Sequence, residues 1–74
     1  MRPLPLRLGE GGVPLQSVVQ IAGFAGSGGS AKQIIQAGLV RVNGQVETRR
    51  SHHVHAGDRI AFEDDEVELT HHAD

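Results

Sequence analysis

Residues 27–58 read SGGSAKQIIQAGLVRVNGQVETRRSHHVHAGD, and the period of their apolar side chains changes at Gly38. Before Gly38, the apolar residues of 31–35 recur at helical spacing and form one stripe. After it, the valines of 40–42 alternate with a polar residue and lead into an Asn-Gly pair at 43–44, a strong signal for a β-hairpin. The stretch therefore predicts a short helix that ends at a left-handed Gly38 and is followed by a hairpin.

Two serines could begin this helix. Ser30 with Gln33 matches a capping box, whereas Ser27 would place Gly28 and Gly29 in the first turn. Glycine in a helix costs about 1 kcal/mol relative to alanine, but two glycines here would leave backbone N–H groups open to a phosphate. We favour Ser27 as the N-cap.

The strand after the turn is expected to span residues 45–49. A strict two-residue turn would place Val46 opposite Arg41 on the polar face, whereas a three-residue loop would align it with Val42. Both turn types stay open from the sequence.

A second hairpin is predicted near the C-terminus, around a two-residue turn at 64–65. Its pairs would be Phe62 with Val67 and Ile60 with Leu69, all on one apolar face. The weakness of this register is that Glu63 would face Glu66.

Upstream of residue 27 the sequence indicates a short strand and another helix. Leucines alternate with other residues in 4–8, and Pro5 suits an edge strand because an edge tolerates its missing N–H. Pro14 is placed as the first residue of a helix, which Gly23 or Gly26 would end. The apolar face of this helix would consist of Leu15, Val18, Val19 and Ala22.

This order of elements indicates one α+β domain over residues 1–74, in which a two-helix hairpin packs on a small antiparallel sheet. The chain has no cysteine, so the fold rests on packing, and we expect a cytoplasmic location. The segment 1–12 is interrupted by prolines and charges, which is typical neither of a signal peptide nor of a membrane span.

Charge divides the chain into a basic and an acidic part, although the net charge is only −2. Residues 27–59 contain five basic and two acidic residues, a net charge of +3. Residues 60–74 contain six acidic residues and no lysine or arginine. Because charges act over ~8 Å at physiological salt, a basic surface and an acidic end can coexist in one small domain.

The central stretch also carries several motifs at fixed spacing: Ser27-Gly28-Gly29-x-Ala31-Lys32-x-x-Ile35-x-x-Gly38-x-Val40-x-Val42-Asn43-Gly44, then Glu47-Thr48-Arg49-Arg50, then Gly57-Asp58. This pattern resembles the S4 (S-four) RNA-binding domain, named after a small-subunit ribosomal protein, and above all its small stand-alone bacterial members. The resemblance covers roughly residues 13–62. It implies an αL motif, in which a helical hairpin and an adjoining strand present basic side chains to structured RNA.

The resemblance also implies which side chains contact RNA, with rRNA or tRNA as the expected partner. Carried over by position, the candidates are Ser27, Lys32, Gln33, Arg41, Asn43, Arg49 and Arg50, and we add His52 and His53, which follow the paired arginines. The residue pattern agrees for the cations, since Lys32 lies off the apolar stripe and Arg41 lies on the polar face of its strand. Arginine suits a phosphate because it can donate two parallel hydrogen bonds. Taken alone, Asn43 would serve the turn.

Three histidines at 52, 53 and 55 stand where sequences of this family tend to carry lysines. Because histidine is mostly neutral at pH 7, we expect RNA affinity to be weaker there and stronger below about pH 6.5. A metal site formed by these histidines with His71 and His72 is disfavoured, because no cysteine or clearly placed carboxylate completes a coordination shell.

We expect neither enzyme activity nor a cofactor, because no nucleophile motif is present and the acidic residues cluster in an expected turn. The residues 26–31 superficially fit a dinucleotide fingerprint, but they follow a predicted helix rather than a strand. The favoured interpretation is a monomeric RNA-binding protein, with the ribosome as a further expected partner and no membrane association. The alternative is an adaptor that binds a protein through the acidic segment 63–68 or the apolar helical hairpin.

Overall fold

The computed structural model of the chain describes residues 1–72. Within these residues the elements follow in the order β1 (Arg2–Leu6), β2 (Val13–Pro14), α1 (Leu15–Ile21), α2 (Gly28–Gln36), β3 (Val40–Val42), β4 (Gln45–Val46), β5 (His53–Val54), β6 (Arg59–Phe62) and β7 (Asp65–His71). Asp74, which contributes to the acidic segment of the sequence, lies outside the described residues. Neither of the two helices has the length and apolar character needed to traverse a lipid bilayer.

Five strands form one sheet in the order β1-β7-β6-β3-β4, and β2 pairs with β5 in a separate two-stranded ribbon. All pairs are antiparallel except β1 with β7, where Arg2 lies opposite Val67 and Leu6 lies opposite His71. The predicted α+β fold and the N-terminal edge strand are confirmed. The sheet is mixed rather than antiparallel, because both helices intervene between β1 and the rest of the sheet and no hairpin sets its direction.

The core is formed by aliphatic side chains from both helices and from the strands. Its buried members are Leu15, Val18, Val19, Ala22, Ala31, Ile35, Val40, Val54, Ile60, Val67 and Leu69. They include the apolar face that the sequence predicts for α1. No polar or charged residue within 1–72 is buried, so the fold depends on apolar packing.

Helix α1 begins after Pro14, whose backbone is extended with φ −63° and ψ 142°. Pro14 is therefore the N-cap and not the first helical residue, because it also pairs with His53 in the β2–β5 ribbon. Of the two glycines that could end the helix, Gly23 does so at φ +83°. The Phe24 N–H then donates to the Val19 carbonyl at 3.0 Å and closes the C-terminus.

Helix α2 begins at the favoured serine. The Ser27 Oγ accepts a hydrogen bond from the Ser30 N–H at 3.1 Å. At the other end, Gly38 adopts φ +78° and the Leu39 N–H donates to the Ile34 carbonyl at 3.0 Å. The predicted cap and the predicted stop of α2 are both confirmed.

Residues 43–44 form a two-residue turn with φ +52° and +85°, as in a type I′ turn. The turn places Val46 opposite Arg41, and Val46 is 60% exposed. The predicted strand to residue 49 is wrong, because β4 ends at Val46. After Val46, the Glu47 carboxylate accepts a hydrogen bond from the Arg49 backbone N–H at 2.9 Å. The Arg49 N–H is therefore satisfied by a neighbouring side chain instead of by a partner strand.

The second hairpin turns at residues 63–64 and not at 64–65, with Glu63 at φ +56°. Its pairs are Arg59 with Glu68, Ile60 with Val67, Ala61 with Glu66, and Phe62 with Asp65. The predicted register is wrong by two residues on β7, and the observed one removes the unfavourable pairing of Glu63 with Glu66. Because a shift of two keeps each side chain on its face, the apolar residues still point to the core.

Candidate nucleic-acid interface

Three of the nine candidate residues lie on α2. Ser27 is its N-cap, and Lys32 and Gln33 are exposed further along the helix. Within residues 1–72, the side chains of Lys32 and Gln33 make no hydrogen bond or ion pair with another protein group. The Gln16 side chain donates to the Gly28 carbonyl at 3.2 Å and ties α1 to the start of α2. Helix α2 therefore presents the unpaired cation of Lys32 and the amide of Gln33 to solvent.

A groove of about 420 Å³ beside the β3–β4 turn brings three further candidates together. Its lining residues are Val42, Asn43, Gln45, Val46, Glu47, Arg49 and His52. We call this surface the turn groove. Its lining combines two valines with polar groups of the β3–β4 hairpin and with charged groups of the loop that follows β4.

The loop that carries these groups is fixed to helix α1 through its backbone. The Gln16 N–H donates to the Arg50 carbonyl at 3.0 Å, and the Leu15 N–H donates to the His52 carbonyl at 2.8 Å. These carbonyls satisfy N–H groups in the first turn of α1, which have no partner within the helix. The Arg50 side chain is exposed and, within residues 1–72, bonds to no protein group.

An acidic side chain in the turn groove holds its arginine in one orientation. Glu47 Oε2 accepts from Arg49 Nε at 3.0 Å, and Oε1 accepts from Nη2 at 2.9 Å. The side-chain hydrogen bond from Arg49, with its backbone N–H, lowers the pKa of the Glu47 carboxyl from 4.5 to about 2. Glu47 takes two of the five N–H donors of the guanidinium, so three remain for another acceptor. The Arg49 side chain is 71% exposed.

The Asn43 side chain is engaged in the fold. Its Oδ1 accepts from the Arg59 backbone N–H at 2.9 Å, and its Nδ2 donates to Asp58 Oδ1 at 3.1 Å. Both contacts fasten the β3–β4 turn to the start of β6. The structure thus supports the turn role that the sequence suggests for Asn43, and contact with RNA stays a prediction.

Arg41 does not line the turn groove, although its strand partner Val46 does. In the register of β3 with β6, the 43–44 turn lies at one end of the strands and the 63–64 turn lies at the other. The Arg41 Nη2 donates to the Glu63 carbonyl at 3.1 Å and so reaches toward the acidic turn. The structure does not bring Arg41 together with Arg49.

The histidines occupy separate places. His52 Nδ1 lies 3.9 Å from Glu47 Oε1, His53 Nδ1 lies 2.7 Å from the Gly11 carbonyl, and His55 Nδ1 lies 4.0 Å from Asp58 Oδ2. Among residues 1–72, no three His, Cys, Asp or Glu side chains are grouped to hold a metal ion. The effect of histidine protonation on RNA affinity stays a prediction.

A family model described as the S4 domain matches residues 7–70 of the chain. The chain belongs to the S4 domain family. The resemblance that the sequence motifs indicate is confirmed, and the match is longer than the expected 13–62 because it includes most of β7.

This S4 domain is also similar in structure to YbcJ from E. coli. The two chains are 31% identical, and the alignment covers 95% of this chain and 87% of YbcJ with a TM-score of 0.70. The solution structure of YbcJ is described as revealing an αL motif involved in RNA binding. A comparison with curated protein sequences finds no significant match.

Sequence reasoning on this S4 domain missed the role of Glu47. The signal was available, because Glu47 and Arg49 are two residues apart and would lie on one face of the predicted strand 45–49. Their opposite charges then allow the side-on ion pair that the structure contains. From the sequence, Arg49 and Arg50 are named only as candidate RNA contacts, with no partner considered for either.

Replacing Glu47 with glutamine should weaken the fold at pH 7 and change its response to acid. The pKa of Glu47 in the folded state, about 2, lies below its ordinary value of 4.5. Ionised Glu47 therefore stabilises the fold above pH 4.5, and this contribution is lost as the pH falls toward 2. We expect E47Q to be less stable by ~1 kcal/mol at neutral pH and to lose less stability on acidification, measured by urea unfolding.

The matched control is Glu10→Gln, which removes the same charge from an exposed loop. The Glu10 carboxylate makes no hydrogen bond or ion pair within residues 1–72, so E10Q should follow the wild-type acid response. Identical acid responses of E47Q and the wild type would show that the Glu47–Arg49 pair does not stabilise the fold in solution.

Proposed function

We propose that this S4 domain is a small RNA-binding protein that recognises structured RNA and catalyses no reaction. Two observations support the proposal together. The fold is similar to that of YbcJ, whose αL motif is described as involved in RNA binding. The cations on α2 and on the loop after β4 also have donors that no protein group within residues 1–72 uses.

The unused N–H donors are the main support for the proposal. Lys32 and Arg50 are exposed and have no partner within residues 1–72, and Arg49 keeps three N–H donors that Glu47 does not use. Arginine can contact a phosphate through two parallel bonds, whereas lysine acts as a point charge. Such contacts supply affinity and position on RNA more than sequence information.

Structured RNA is favoured over single strands because the chain has few aromatic side chains. It contains two phenylalanines and no tryptophan or tyrosine. Single-strand binding relies on aromatic platforms for successive bases. Phe24 and Phe62 pack on each other beside the acidic 63–64 turn, so they are poorly placed to stack on bases of a bound RNA. Recognition of backbone shape by cations fits folded RNA better.

The finer parts of the proposal concern the identity of the RNA. We propose rRNA or tRNA as the ligand, with the ribosome as the assembly in which a monomer of this protein acts. A cytoplasmic location accompanies that proposal. Sequencing of RNA crosslinked to the protein in cells identifies the ligand, and a sample without RNA above background would contradict the proposal.

The dependence of affinity on salt tests the proposed mode of binding. Three phosphate contacts predict that log affinity falls against log salt with a slope of about −2 to −3. We expect an RNA stem-loop to bind with this slope and more tightly than an unpaired oligouridylate of the same length, measured by fluorescence anisotropy. A slope near zero, or stronger binding of the unpaired oligonucleotide, would contradict phosphate-directed recognition of folded RNA.

A further inference from the structure

A second groove, of about 390 Å³, lies between the C-terminal end of α1 and the β6–β7 turn. Its lining residues are Gly23, Phe24, Phe62, Glu63, Asp64 and Asp65. We call it the acidic groove. The two phenylalanine rings are half-buried with centroids 5.8 Å apart and form its apolar part. Three consecutive carboxylates follow directly after the second ring.

The carboxylates of the acidic groove differ in their partners. Asp65 is paired with Arg2, whose Nη2 lies 2.6 Å from Oδ2 and whose Nε lies 3.2 Å from Oδ1. Glu63 and Asp64 are exposed, and within residues 1–72 their carboxylates bond to no protein group. Arg41 contacts only the backbone carbonyl of Glu63. Within residues 1–72, two carboxylates of the groove therefore have no ion-pair partner, and the nearby Arg41 guanidinium is engaged with the Glu63 backbone.

The chain's own Arg2 indicates which side chain suits this surface. Its guanidinium contacts both oxygens of Asp65 and also donates to the Ala22 carbonyl at 3.2 Å, at the C-terminal end of α1. A second guanidinium in the groove would find two free carboxylates beside the aromatic pair. Aromatic rings attract cations through their electron-rich faces, and carboxylates accept two parallel bonds from arginine.

We infer that the acidic groove docks a basic, arginine-containing segment of a partner protein. This function goes beyond RNA binding and uses a different part of the molecule. The acidic groove is beside the 63–64 turn, whereas the turn groove is beside the 43–44 turn at the other end of the β3–β6 pair. RNA is repelled from the acidic groove by its charge, so one domain can hold RNA and a basic protein segment together.

The test is an NMR titration of the full chain with a short peptide that alternates arginine and leucine. We expect saturable shifts of the backbone amides of Phe24 and of residues 62–65. The same peptide with citrulline in place of arginine keeps the shape and loses the charge, and it should not bind. The double variant E63Q/D64N should weaken peptide affinity about tenfold, because it removes both free carboxylates.

The matched control is E10Q/E68Q, which removes the same charge from residues that do not line the acidic groove. It should leave peptide affinity within about twofold of the wild type, because the net charge alone acts weakly at physiological salt. Shifts centred on Lys32 and Arg49, equal weakening by the two double variants, or the absence of saturation would each overturn the inference. RNA affinity is measured separately on E63Q/D64N and should be unchanged or stronger.

Discussion

Changing Lys32, Arg49 and Arg50 together to glutamate is expected to reduce RNA affinity roughly 10²- to 10³-fold at about 0.1 M salt. Each neutralised phosphate contributes about five- to tenfold at that salt through release of counterions, and three such contacts are removed. The three side chains are exposed, so the variant should still fold, but with a lower thermal midpoint because R49E removes the ion pair with Glu47. Fluorescence anisotropy with an RNA stem-loop gives the affinity, and thermal unfolding checks the fold.

Single neutral variants separate the proposed surface from net charge. Arg50→Gln should weaken binding about five- to tenfold and make the salt slope less negative by about 1. Arg59→Gln is the matched control, since Arg59 is also exposed but lies on β6 opposite Glu68 and does not line the turn groove. Its effect should stay within about twofold. Equal losses in the two variants would mean that RNA senses total charge, and the proposed surface would be wrong.

Replacing Gly12 with alanine is expected to destabilise the fold by about 2 to 4 kcal/mol. Gly12 adopts φ +73°, and a Cβ there would collide with the Val54 carbonyl oxygen and lie 2.8 Å from His55 Cδ2. The carbonyl belongs to β5, which pairs with β2 directly after Gly12. This pairing leaves the backbone of Val54 little room to move away from the added methyl group. A chain of 74 residues has a total stability of about 4 to 11 kcal/mol, so the loss is a large share.

Gly23→Ala measures the conformational part of that loss, and the difference between the two variants then gives the steric part. Gly23 has a similar φ of +83°, but nothing lies within 4 Å of a Cβ at this position. G23A should therefore cost only about 1 kcal/mol, the conformational part alone. Urea unfolding measures both variants, and the m-value should be unchanged. A loss in G12A no larger than that in G23A would show that the ribbon relaxes around the added methyl group.

Several features of the fold were predictable because their signals are local. The Ser27 cap, the Gly38 stop and the turn at 43–44 each depend on a backbone conformation that a few neighbouring residues prefer. The second hairpin was less predictable, since consecutive acidic residues offer several similar turns. Only the register with β6 selects Glu63, because it pairs Ile60 with Val67 and separates Glu63 from Glu66.

The sequence predicted which residue types are exposed at the candidate site, but it did not predict how their side chains are arranged. Lys32 and Arg50 are exposed, as their positions in the pattern indicate. Arg41 looked equivalent to them, but its guanidinium lies at the acidic turn, because β3 pairs with β6 in a register that brings Glu63 within reach. Alternation of apolar and polar residues predicts on which face of a strand a side chain lies. It does not predict which residues of the neighbouring strands lie beside that side chain.

The sequence by itself determined both limits of α2, the position of the first turn, the α+β class and the family, since these depend on short-range preferences and on motif spacing. Only the tertiary structure decided that β1 runs parallel to β7 and that Phe24 meets Phe62 beside the free carboxylates. Such contacts join segments far apart in the chain. Their geometry follows from how the whole core packs, and no local pattern of residues encodes it.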